Sequence, residues 1–188
     1  MLKRTFKMTP YQRFEEAIKV ILKHEGGYTN DKDDPGGATD YGISLRFLQD
    51  HGIDLNGDGK VNEMDIRALT KEKAIKIYKQ YWWDKYHYEA INSIYYATKV
   101  FDMAVNMGGK QAHILVQRAV NCCGHNLVVD GILGGKSLGA INEIYLHGRG
   151  DDLRTETQEE QEHFYRNLAE QKPKLQKFLK GWLRRAAW

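Results

Sequence analysis

Apolar residues recur three and four apart through nearly the whole chain, and that period limits the fold more than any other feature. The first run opens with Thr9-Pro10-Tyr11-Gln12. These residues read as an N-cap, a proline at the first helical position and the glutamine of a capping box. Phe14, Ala17, Ile18, Ile21 and Leu22 then share one face, and Gly26-Gly27 ends the run, which puts Glu25 at a helix C-terminus. The same period predicts helices over 44–50, 70–82, 89–107, 111–122, 136–146, 155–170 and 173–185. Strand signals gather only in 28–43, enough for one small hairpin. The expected fold is mainly α, with no repeats and no low-complexity segment.

A length of 188 residues, 41% of them hydrophobic and 28% charged, allows a real core and excludes general disorder. No run of about 18 apolar residues occurs, so no transmembrane helix is expected. The first twenty residues are basic but lack an apolar stretch, so no standard secretory signal is expected either. Cys122 and Cys123 are adjacent, a poor geometry for a bridge, and are expected to be reduced thiols. The chain lacks HExxH and any Cys–His hydrolase pattern, which argues against a zinc amidase or peptidase.

Charge is uneven. From His163 to Trp188 there are seven Lys or Arg against one Glu. Such a face suits an anionic wall polymer or an anionic membrane surface, or is a solvated helix face. No nucleic-acid reading motif accompanies it, so nucleic acid is not an expected partner.

The stretch HEGGYTNDKDDPGGATDYGIS, from His24 to Ser44, concentrates acids and glycines. Hydrolysis of a glycoside needs an acid to protonate the leaving oxygen and a second group to hold water or the developing cation. Glu25 suits the acid role: the negative end of the helix dipole and partial burial both disfavour its charged form. A hairpin would bring Asp34 and Thr39 back across a cleft from Glu25, flanking one water, and glycines allow close approach to a sugar. Tyr28 and Tyr41 are the aromatics placed for substrate contact. Asn106, at a helix end, is a candidate partner for an N-acetyl group, or simply a helix cap. From spacing alone, a polar surface loop behind a capping glycine is the competing reading.

Glu25-Gly-Gly-Tyr28, Asp33-Asp34-Pro35-Gly36-Gly37 and Thr39-Asp40-Tyr41-Gly42-Ile43 resemble the signature of the glycoside hydrolase family 108 lysozymes. The resemblance continues in Val100 to Gly108. Val129 to Gly134 and Phe178 to Arg185 are similar to that family's C-terminal peptidoglycan-binding module. It implies a lysozyme-like helical domain with a small β-hairpin near the active site, plus a C-terminal helical bundle. The division would be 1–105, catalytic, and 106–188, wall-binding. It also implies an N-acetylmuramidase that cleaves the β-1,4 bond between N-acetylmuramic acid and N-acetylglucosamine, either a phage endolysin made in the host cytoplasm that causes cell lysis or a bacterial lysozyme delivered another way. Peptidoglycan would be the partner, the protein a monomer, and no organic cofactor is implied. The glutamate of the EGGY motif, Glu25, would be the catalytic acid. Related phage lysozymes separate Glu and Asp by eight residues and Asp and Thr by five. Here the second gap is four, and Asp40 holds the five-gap place, so either Thr39 or Asp40 would position the water beside Asp34.

Residues 54–65 form a second acidic loop. Asp54, Asn56, Asp58, the Lys60 carbonyl, Asn62 and Asp65 match the twelve-residue EF-hand pattern, with Gly59 at the turn. A structural Ca²⁺ is the expectation, with a metal-free Asn-Gly/Asp-Gly turn as the alternative. The loop also resembles half of a dockerin, but a single copy argues against cohesin binding. Two other functions stay open: a non-catalytic peptidoglycan-binding or secretion-associated protein, and a calcium-dependent interaction module. Tyr78, Tyr81 and Trp82 lie at helical spacing and are expected to pack in the core.

Overall fold

A computed structural model of the chain describes residues 8–24 and 38–188. It is mainly helical, with one small antiparallel hairpin, as the sequence predicts. Packing divides the chain into two compact units, Met1–Lys85 and Tyr86–Trp188. That division falls before residue 105, because the helix that follows residue 86 packs with the C-terminal helices. No described helix is long and apolar enough to cross a membrane.

In the first unit, α1 spans Pro10–His24. Its capping box forms: the Gln12 amide N–H donates to the Thr9 hydroxyl at 3.2 Å, and the Thr9 N–H donates to the Gln12 side chain at 2.9 Å. Phe14, Ala17, Ile18 and Ile21 are buried, as their spacing requires. Strands β1 (Thr39–Asp40) and β2 (Ile43–Ser44) pair antiparallel. Ser44 caps α2 (Leu45–His51), accepting from the Phe47 N–H. Next come α3 (Glu63–Arg67) and α4 (Lys71–Tyr78), the latter capped by Thr70. The helix expected to run on through Trp82 does not keep its period. It widens into a π-helical stretch over Lys79–Asp84. The wider turn shifts the register, so Trp83 is buried, at 1% exposure, while Tyr81 and Trp82 stay half-buried. Trp83 meets Phe14 edge-on at 5.8 Å, and Trp82 stacks on Phe47 at 4.6 Å.

The second unit starts with a 3₁₀ turn, Tyr88–Ala90, and is built around α5 (Ile94–Met107). Helices α6 (Gly109–Cys122), α7 (Gly135–Leu146) and α8 (Gly150–Gln171) follow. A 3₁₀ turn, Pro173–Leu175, then leads into α9 (Gln176–Ala186). Every residue from Tyr96 to Ala104 in α5 is buried, so this helix has no solvent face over that stretch. Thr98 donates to the Ile94 carbonyl of its own helix, and Tyr96, Lys99 and Asp102 are bonded to α8 and α9. Tyr96 and Thr157 share a hydroxyl hydrogen bond at 2.7 Å. Asp102 accepts two bonds from the Arg185 guanidinium, each 2.9 Å. The Lys99 ammonium donates to the carbonyls of Arg185 and Ala186, at 3.3 and 2.7 Å. Arg185 is therefore not part of the basic surface that the sequence predicted; it is drawn inward by a buried carboxylate. Cys122 and Cys123 are free thiols, the first exposed and the second buried.

The VDGILGG stretch also has a structural explanation. Gln117 gathers it, donating to Asp130, the Ile132 carbonyl and Ser137, and accepting from the Gly131 N–H. Gly131 has φ of +79°, and a Cβ there would lie 2.8 Å from the Lys110 carbonyl, so glycine is required. Beside it, burial holds the His113 imidazole down to about 4 against the upward pull of the Gly131 carbonyl. The ring is then neutral at pH 7, donating from Nδ1 to Gly131 and accepting the Tyr88 hydroxyl at Nε2.

Candidate functional site

Glu25, Tyr28 and Asp34 lie outside the described residues. Glu25 directly follows α1, and the described part of the loop is its return limb. Here Thr39 pairs with Ser44, and Asp40 with Ile43. Tyr41 and Gly42 form the turn, both with positive φ (47° and 74°), as a two-residue type I′ hairpin needs. A tyrosine in that region is strained, and such strain persists only where neighbours enforce it. Two hydrogen bonds enforce it here. The Tyr41 N–H donates to the Asp40 carboxylate at 2.9 Å, and the Tyr41 carbonyl accepts the Tyr78 hydroxyl at 2.8 Å. The half-buried Tyr41 ring is thus carried on a turn tied to α4.

The hairpin also separates the two candidates for holding water. Successive strand residues point to opposite faces, so Thr39 and Asp40 do not serve the same space. Asp40 already accepts the turn N–H, while the Thr39 hydroxyl makes no hydrogen bond among the described residues.

Asn106 lies in the second unit, on the last turn of α5. Its side-chain oxygen accepts from the Tyr165 hydroxyl at 2.5 Å, and that hydroxyl also accepts from Gln161 at 3.2 Å. Tyr165 in turn stacks on Trp182 at 5.2 Å. The bond fixes which end of the Asn106 carboxamide is oxygen, leaving its NH₂ as the donor to present. Sequence reading missed Tyr165, whose aromatic period signalled only core packing.

The 54–65 loop is folded by its own side chains. Asp54 accepts from the N–H groups of Gly57 and Gly59, Asn56 from Asp58, and Asp58 from Lys60. Asn62 caps α3 and forms a capping box with Asp65. Asp65 is fully buried and accepts N–H bonds from Leu55, Asn56 and Asn62 at 2.7, 3.2 and 2.8 Å. Burial pushes the Asp65 carboxyl upward, but these N–H groups outweigh it and hold the group below its usual range. The oxygen-only donor set suits a hard cation. Yet no group of three His, Cys, Asp or Glu able to hold a metal occurs among the described residues. As it stands, the loop is closed by hydrogen bonds.

Residues 18–108 match the family described as Glycosyl hydrolase 108. That segment of the chain is similar to glycosyl hydrolase family 108. Residues 111–187 match a second family, described as Predicted Peptidoglycan domain. Among solved structures, Brucella abortus SagA is similar, with a TM-score of 0.76 and 27% identity over 94% of this chain and 91% of that one. No curated protein matches. The two matches together support a glycoside hydrolase with a peptidoglycan partner, which lies in the cell wall or periplasm. The matched families change at 108–111, inside the second compact unit, so α5 belongs by sequence to one family and by packing to the helices of the other.

Proposed function

We propose that this protein is an N-acetylmuramidase that cleaves the β-1,4 bond between N-acetylmuramic acid and N-acetylglucosamine and so lyses bacteria, as an endolysin does. Glu25 protonates the glycosidic oxygen. Asp34 and Thr39 hold the attacking water or steady the cationic sugar, and Tyr28, Tyr41 and Asn106 contact the glycan. The observation that carries this assignment is the tied hairpin. It favours Thr39 over Asp40 for the water, since the Asp40 carboxylate is engaged by the turn and faces the other side of the strand. Asp40 then shapes the site by holding Tyr41. The test is the identity of the new chain ends released from purified murein. Reduction followed by mass analysis should find muraminitol ends; glucosaminitol or anhydromuramic ends would contradict the reading.

Two accessory roles belong to the same proposal. Ca²⁺ would be held in the 54–65 loop by Asp54, Asn56, Asp58, the Lys60 carbonyl, Asn62 and Asp65. It would stiffen the link between α2 and α4 and take no part in the chemistry. The exposed Lys174, Lys177, Lys180 and Arg184 on and beside α9 would meet anionic groups of the wall or an anionic membrane surface. The protein would act as a monomer.

A further inference from the structure

The second unit carries a groove of about 460 Å³ between α6 and α8, within the size range of ligand-binding clefts. Half-buried Leu168 supplies aliphatic surface and Phe164 an aromatic ring, over the buried Leu115. Three carboxamides, Gln111, Asn167 and Gln171, also line it. None of their side chains makes a hydrogen bond among the described residues, in contrast to Gln117, which is saturated by its loop. The permanently charged residues of the groove are Arg118 and Glu160, which face each other at 3.6 Å and cancel; His163 also lines it.

That combination selects a ligand class. Apolar surface with one ring accepts the C–H face of a pyranose. Carboxamides both donate and accept, which matches sugar hydroxyls and acetamido groups. A peptide stem carries carboxylates and would need an unpaired cation, but Arg118 is matched by Glu160. We infer that the α6–α8 groove is a binding subsite for the uncharged N-acetylated sugar strand of peptidoglycan, built from none of the residues assigned to hydrolysis. The inference rests on the chain being a peptidoglycan hydrolase, and it assigns the strand-holding role of the second family segment to one place. It gives the enzyme a grip on the polymer that survives each cleavage.

The experiment uses the full chain and N,N′,N″-triacetylchitotriose as probe, with binding read by NMR titration. The Asn167→Ala, Gln171→Ala double variant changes two exposed side chains. Its melting temperature should match wild type, while trisaccharide affinity falls about tenfold, the size expected for two lost hydrogen bonds. KM on intact sacculi should rise with kcat unchanged. Wild-type binding that the double variant retains, no binding by wild type, or displacement of the trisaccharide by free stem peptide would each overturn the subsite. Failure of the glycosidase reading would appear separately, as no release of reducing ends from sacculi by the wild type.

Discussion

Helices α5 and α9 sit in the same unit yet read very differently. α5 is buried on all sides over Tyr96–Ala104, with a lysine and an aspartate within that stretch. α9 shows lysines and an arginine to solvent and half-buries Phe178, Leu179, Trp182 and Leu183. One helix ends the hydrolase family segment; the other ends the peptidoglycan-domain segment. They are complementary. Each buried charge of α5 is answered at the C-terminal end of α9: Asp102 by the Arg185 side chain, Lys99 by the last carbonyls. A boundary drawn from family content therefore cuts through a joint made by charge and hydrogen bonding.

The sharpest way to break that joint is Asp102→Ala. It would leave Arg185, 13% exposed, without its carboxylate, and breaking such a buried pair costs about 3–5 kcal/mol. Urea unfolding of the purified protein reads the loss. Lys99 gives a pH signature of slightly smaller size. Burial lowers its pKa to about 8, against the opposing pull of Asp102. The unfolded chain holds that proton to about 10.5, so the folded state binds fewer protons between the two values. Stability should then rise as pH climbs from 8 to 10.5, by roughly 3 kcal/mol for this group. The wild-type minus Lys99→Met difference isolates it, and a flat difference would refute the depressed pKa.

The 54–65 loop extends the comparison. Asp65→Ala would strand three backbone N–H groups and should cost about 1–3 kcal/mol. Under the calcium proposal, Ca²⁺ at a hundred times its Kd would add about 2.7 kcal/mol to wild type, and chelator would remove it. A melting temperature indifferent to both would leave hydrogen bonds as the loop's only staple. The smallest effect belongs to α9: Lys174, Lys177, Lys180 and Arg184 changed to Gln should alter stability by less than about 0.5 kcal/mol each. The same set should weaken binding to sacculi or anionic vesicles in low salt, and unchanged binding would remove the anionic-surface role.

What the sequence made readable was local. The capping box of Thr9 and Gln12 and the buried face of α1 follow from spacings of three and four residues. The hairpin was expected in 28–43 and stands at Thr39–Ser44, because Tyr41-Gly42 supplies the turn. The unreadable parts are long-range or break the period. Asp102 and Arg185 are 83 residues apart, and Asn106 and Tyr165 are 59 apart. Periodicity tells which face is inward, not which residue waits there. The π-helical turn at Lys79–Asp84 moved burial from Trp82 to Trp83, a change that counting by 3.6 does not reveal. Of the candidate catalytic set, Glu25 and Asp34 lie outside the described residues, and their roles rest on loop chemistry and the family signature.

The central claim is therefore best tested on Glu25 itself. Reducing ends released from purified murein should be measured for wild type and Glu25→Gln at equal folded concentration. The account predicts a loss of about 10²–10⁴-fold in the variant with wall binding retained. Release by Glu25→Gln at the wild-type rate would contradict it and move the acid to another residue.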